Sequence, residues 1–260
     1  MKTKFGICTE MEKISQLAEA GFDYIEQPTY AFALAKENEF ASMRKSIAGS
    51  GIACEACNFF YPPDFHVTGK DIDTKKIYEY IGNAIERAAV LGVKNITIGS
   101  GPARNVPEGF PKEDAFRQFG DQVHKAGELA SKHGMMITIE PIRPGSTNLI
   151  NNLAEGVALA EYVNLPNVKT MADISQMTGA GDTIEMIYRY GNYIKHLHIL
   201  DVKNHDYPVD PEDADLINLV KAYLSVNAGG RISVEGVPFT TVEKALRCLK
   251  ALKNYVEKAQ

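Results

Sequence analysis

In IDTKKIYEYIGNAIERAAVLGVKNITIG (72–99) two periodicities meet at a glycine. Ile77, Ile81, Ile85 and Ala88 recur at three- and four-residue spacing, which predicts a helix over 72–91 with one apolar stripe. Gly92 stands where a left-handed helix C-cap belongs, and VKNITIG (93–99) then reads as a short apolar strand. The same unit recurs along the chain. The other strand candidates are KFGIC (4–8), FDYIE (22–26), IACEACN (52–58), MMITIE (135–140), VKTMAD (168–173), YIKHLHIL (193–200) and RISVEG (231–236). Gly21, Gly51, Gly92, Gly134, Gly191 and Gly230 each precede one of them, and Pro166-Asn167 stands before VKTMAD. Further helical stretches read at 113–133, 153–163, 212–225 and 241–258.

Strict alternation of strand and helix implies a parallel sheet. Eight units in 260 residues match a (β/α)8 barrel, a TIM barrel formed as a single domain over 1–260, whereas a doubly wound sheet has about five to seven strands. The longest irregular stretches, 59–71, 99–112 and 201–211, each follow a strand and precede a helix. In a barrel those loops surround the active site at the C-terminal face.

A net charge of -5 with 45% hydrophobic and 23% charged residues excludes a disordered or fibrous chain. No apolar run approaches the ~18 residues of a membrane span, and the start MKTKFGICTEM lacks the apolar stretch of a signal peptide, so a cytoplasmic location is expected. Cys8, Cys54, Cys57 and Cys248 are too sparse for a disulfide scaffold and are expected as thiols. Lysines are spread singly, without a basic run. The expected partner is therefore a small molecule, with no nucleic acid and no membrane.

The strand ends are unusually polar. Glu26, Asn58, Glu140, Asp173 and Glu235 close their runs, His198 lies near the end of the seventh, and Asp201 follows it. Singly, Glu26, Asn58 or Asp201 is equally well explained as a helix cap or a loop partner. Together, three carboxylates and an imidazole from four consecutive strands would repel and shift one another unless a cation lay among them. A divalent metal meets that need. The oxygen-rich set suits manganese or magnesium first, with cobalt or zinc compatible because of the imidazole.

The runs ITIEPI (137–142), VKTMADISQM (168–177), IKHLHILD (194–201) and ISVEG (232–236), with ITIGSGPARNVPEG (96–109), resemble the xylose isomerase-like sugar phosphate isomerase/epimerase superfamily over essentially the whole chain. The resemblance implies one divalent metal held by Glu140, Asp173, His198 and Glu235. It also implies an isomerase or epimerase of a small sugar, sugar phosphate or keto-acid, working through a cis-enediolate with Glu140 and Glu235 as acid and base. Related barrels often pair, so a homo-oligomer is compatible with it. His196, deeper in the same strand, reads as a buried packing histidine.

Two departures bear on the substrate. Many members carry D-x-x-H after the sixth strand, where this chain has Asp173-Ile174-Ser175-Gln176, and Gln176 can hydrogen-bond a hydroxyl but cannot shuttle a proton. The ketose 3-epimerases resembled carry a second Glu six residues beyond the first, where this chain has Ser146. Arg104, Arg143, Lys203 and His205 instead place positive charge in the expected mouth, where it could receive a carboxylate or phosphate. With Asn58 and Gln176, the first three form the expected substrate contacts.

Other motifs are set aside. Gly99-Ser100-Gly101-Pro102-Ala103-Arg104 begins like a dinucleotide fingerprint, but Pro102 and Pro107 interrupt the helix that would meet a pyrophosphate. Cys54 and Cys57 lie within one strand and lack a second pair to complete a zinc site. Phe59-Phe60-Tyr61-Pro62-Pro63 either walls the pocket or packs beneath it. A lyase resembling inosose dehydratase fits the same residues, as does a catalytically silent sugar-binding or partner barrel. An abasic-site endonuclease fits poorly, because it would need more histidines than the six present and a basic groove.

Overall fold

The computed structural model describes residues 2–9, 11–236 and 240–259. Eight strands are found among them: β1 Lys4–Cys8, β2 Tyr24–Pro28, β3 Ala53–Asn58, β4 Asn95–Ile98, β5 Met136–Ile139, β6 Val168–Asp173, β7 Ile194–Ile199 and β8 Arg231–Val234. They pair in parallel in chain order and close β8 onto β1, from Lys4 opposite Arg231 to Ile7 opposite Val234. The (β/α)8 expectation is met. No helix among the described residues is long and apolar enough to cross a membrane.

The helices form as their periodicity requires. Thr74–Leu91 is capped at its start by the Asp73 carboxylate, which accepts from the Lys76 amide at 3.0 Å. Its buried stripe is Ile77, Tyr80, Ile81, Ala84, Ile85, Ala88 and Leu91, and each buried isoleucine contributes about 1.5–3 kcal/mol. Gly92 ends it in the left-handed region at φ 88°. Gly21, Gly51 and Gly134 take the same conformation, and Asn164 takes it at the end of Leu153–Val163. Gly191 and Gly230 do not. Side chains there would run into Val226 and into the Tyr223 hydroxyl, so space rather than backbone conformation demands glycine.

The barrel interior is polar from end to end. At its N-terminal end Glu55 receives Lys4 at 2.5 Å and the Arg231 guanidinium at 2.6 and 2.9 Å. Higher up, Asn95, Thr97 and Thr138 bond one another, and the Tyr24 hydroxyl meets Ser233 Oγ at 2.8 Å. Gly6 leaves the room that the Tyr24 ring occupies. A register shift between β6 and β7 after Thr170 brings Asp173 level with His198.

Arg104 is corrected by the fold. It ends the 3₁₀ turn Gly101–Arg104 and is 0% exposed, so it does not stand in the mouth. Its guanidinium donates to the carbonyls of Gly99 at 2.9 Å, Glu140 at 3.0 Å and Ile150 at 3.0 Å. Burial brings it down to about 10 against the pull of Glu140 and Glu155, so it stays charged at neutral pH. It thereby ties the ends of β4 and β5 to the loop beyond. Arg104→Met strips the Gly99 and Glu140 carbonyls of this donor and leaves Ile150 with the Ile142 amide alone; it is expected to cost about 3 kcal/mol, read as a lowered urea midpoint at unchanged slope.

Candidate metal and substrate site

Glu140 follows β5, Asp173 ends β6, His198 lies in β7 and Glu235 follows β8. One ligand atom from each lies within 4.8 Å of all the others. His198 Nδ1 is 2.5 Å from Glu235 Oε2, 3.7 Å from Asp173 Oδ2 and 3.8 Å from Glu140 Oε1. The four side chains singled out in the sequence thus converge.

Glu26 decides how His198 is presented. Its carboxylate is 0% exposed and accepts from His198 Nε2 at 3.0 Å, His196 Nε2 at 2.9 Å and Ser233 Oγ at 2.6 Å. Burial pushes Glu26 up, but His198 and His196 outweigh it and hold the carboxyl well below the usual range. An ionised carboxylate only accepts, so both imidazoles turn their Nε2–H toward it. His198 Nδ1 then faces three carboxylates, sealed from solvent and 2.5 Å from Glu235 Oε2. Once that nitrogen gives up its proton, it and the three carboxylates make a donor set that fits a divalent metal ion. Sequence reasoning placed Glu26 at a strand end without a role, and His196 as packing. His196 is buried, and it also clamps Glu26.

Burial and mutual charge shift Glu140, Asp173 and His198. Burial, then Glu235, pushes the Glu140 carboxyl well above its usual range. Burial and Glu235 bring Asp173 up to about 7. Burial would lower His198, but Glu235 and Glu26 raise it far above an ordinary imidazole. Asp173 also caps the helix Ile174–Ala180, with Oδ1 accepting from the Gln176 amide at 2.7 Å while Oδ2 faces His198. At Gly99 a side chain would collide with the Glu140 carboxylate, so the glycine makes the space that carboxylate fills.

Above this floor opens a cavity of about 650 Å³. Asn58, Arg143, Gln176 and His205 line it, as does Ser146. Asn58 Nδ2 donates to Glu235 Oε1 at 2.7 Å, and Gln176 Oε1 accepts from the Arg143 amide at 3.2 Å. The aromatic loop does both things expected of it: Phe60 is buried, whereas Phe59 is 49% exposed and lines the mouth. Lys203 does not reach the cavity. Its ammonium lies outside, 3.4 Å from Asp215, because the 201–206 turn is closed by Asp201, which accepts the amides of Lys203 and Asn204 and points that side chain away. Of the expected substrate contacts, Asn58, Arg143 and Gln176 line the cavity; Arg104 and Lys203 do not.

Residues 14–252 match the sequence profile of a family described as xylose isomerase-like TIM barrel. The chain belongs to that family. Its fold is similar to D-psicose 3-epimerase solved in the presence of D-fructose, at a TM-score of 0.84 and 19% identity, covering 98% of this chain and 99% of that one. It is similar to a 3-keto-D-glucoside 4-epimerase from E. coli, at a TM-score of 0.79 and 19% identity over 97% and 99% of the two chains. It is also similar to the IolI protein solved with a zinc atom, at a TM-score of 0.76 and 20% identity over 99% of each. At these identities the likeness establishes the fold. No curated protein sequence matches the chain.

Two outcomes follow for the metal. Glu26→Gln keeps the fold and lowers affinity for a divalent ion by about 10–100-fold, measured by calorimetric titration, because His198 loses its fixed tautomer. Asp173 titrates higher in the folded chain than in an unfolded one, where it sits near ~3.9, so the metal-free protein gains stability from its proton below about pH 4 and loses that gain as pH rises through about 7. A divalent ion bound there would take the place of that proton. The melting-temperature gap between loaded and metal-free protein should therefore widen from about pH 5 to pH 8, and a constant gap would contradict this account.

Proposed function

We propose that the chain is a divalent-metal-dependent isomerase or epimerase of a small carbohydrate or keto-acid, and that Glu140 and Glu235 move the proton. The observation that carries this reading is the shared cavity floor, where the Glu140 and Glu235 carboxylates flank the inward-facing Nδ1 of His198. Glu140, Asp173, His198 and Glu235 would hold the ion, with manganese first among the candidates. Bound there, the ion supplies positive charge for the oxygens of a ketone and its neighbouring hydroxyl, which acidifies the adjoining C–H.

The chain's own groups do the rest. One carboxylate takes the proton from carbon and the other returns it to the opposite face, giving epimerisation; return to the neighbouring carbon gives isomerisation. Burial and the neighbouring Glu235 raise the Glu140 carboxyl, which makes it a stronger base than an exposed carboxylate. Asn58 orients Glu235 through its 2.7 Å hydrogen bond. Gln176 and Arg143 offer donors to substrate oxygens at the wall, and Phe59 covers the apolar side of the mouth.

The test is manganese-loaded protein incubated in deuterium oxide with D-fructose, D-allulose and short keto-acids. Wild type is expected to place one deuterium in recovered substrate and product. Glu140→Gln and Glu235→Gln should each abolish that exchange, and a variant exchanging at the parent rate removes its residue from the mechanism. A product lighter by one water would identify the lyase reaction on the same site instead.

A further inference from the structure

Cys8 ends β1, whose neighbour β8 leads into Glu235, and it opens into the same cavity. Cys54, Cys57 and Cys248 are 1%, 0% and 0% exposed, so among the described residues Cys8 is the one thiol lining that space. Its Sγ, a His198 nitrogen and a Glu235 oxygen all lie within 4.8 Å of one another, in a group distinct from the one that includes Glu140 and Asp173. His198 Nε2 is held by Glu26, so the nitrogen left to serve either group is the buried Nδ1, 2.5 Å from Glu235 Oε2. Asn58 Nδ2 donates to Cys8 Sγ at 3.3 Å and to Glu235 Oε1 at 2.7 Å, holding sulfur and carboxylate side by side.

We infer that the cavity floor offers two overlapping cation positions: an oxygen-rich one made by Glu140, Asp173, His198 and Glu235 for a hard ion, and a sulfur-containing one made by Cys8, His198 and Glu235 for a thiophilic ion such as Cd²⁺. This rests on reading the floor as a metal centre. Thiolate selects soft ions, whereas carboxylates suit manganese and magnesium. The two positions share His198 and Glu235, so they fill one at a time. One sulfur, one nitrogen and one oxygen leave the further coordination place that a tetrahedral ion needs.

Binding at the sulfur position is a substitution without electron transfer. The S–H bond breaks, its electron pair forms the bond to cadmium, and the proton passes to the buffer. The Asn58 N–H stays on the sulfur and stabilises the thiolate.

Metal-free wild type, Cys8→Ser and Cys8→Ala are titrated with cadmium chloride and, separately, with manganese chloride. Heat, ultraviolet difference absorption and proton release in weak buffer are recorded. Wild type should show a sulfur-to-cadmium charge-transfer band and release one more proton per cadmium ion than Cys8→Ala. Both variants should lose the band and about tenfold or more of cadmium affinity, while manganese affinity stays within about twofold. The manganese titration also reports that each variant is folded. Manganese binding with no cadmium band in wild type, or with cadmium affinity unchanged in both variants, overturns the sulfur position alone. An equal loss of manganese affinity in both variants overturns the separation into two positions. Failure of wild type to bind either ion overturns the metal centre and this position together.

Discussion

The hydrogen bonds from His196 and His198 to the buried Glu26 carboxylate are the constraint on which the site depends. A charge without access to water is tolerated only when its neighbours satisfy it, and Glu26 has two imidazoles and the Ser233 hydroxyl to do so. That arrangement costs His198 its freedom of tautomer. It leaves Nδ1 facing three carboxylates, so the floor of the barrel gathers four groups that could hold a metal ion. The polar layers beneath, from Ser233 and Tyr24 down to Glu55 with Lys4 and Arg231, extend the same logic to the other end of the barrel.

Several side chains serve folding and site at once. Asp173 caps a helix with one oxygen and faces His198 with the other, so the cap fixes its orientation. Arg104 gathers carbonyls from the ends of β4 and β5, which fixes the backbone of Glu140, and Gly99 leaves the volume into which the Glu140 carboxylate projects. Preorganisation of this kind matters because a proton-transferring carboxylate displaced by about 1 Å can lose most of its efficiency.

The wall above the floor differs in character from the floor. Asn58, Ser146 and Gln176 offer neutral polar contacts, Arg143 and His205 bring positive charge, and Phe59 supplies an apolar surface. The floor determines what chemistry is feasible, and the wall determines which molecule is held there. Gln176 adds a neutral hydrogen-bonding side chain to that wall that cannot shuttle a proton.

The repeated pattern of apolar stripe, glycine and short strand determined the barrel, because helix and strand periods are local properties of the chain. The same pattern placed Glu140, Asp173, His198 and Glu235 at strand ends, since a parallel barrel sends all such ends to one face. Three of the αL caps, Gly21, Gly51 and Gly92, were legible for the same reason; Gly191 and Gly230 follow instead from contacts with Val226 and Tyr223. Glu26 and Arg104 were misjudged because a charged residue looks alike in sequence whether it meets solvent or buried partners. Only the closure of β8 on β1 and the register of β7 against β6 bring Glu26 beneath His198, and only the turn after β4 folds Arg104 inward while the 201–206 turn sends Lys203 out. Local periodicity fixes which face a residue occupies, whereas the partner that decides its charge and its role comes from strands far away in sequence.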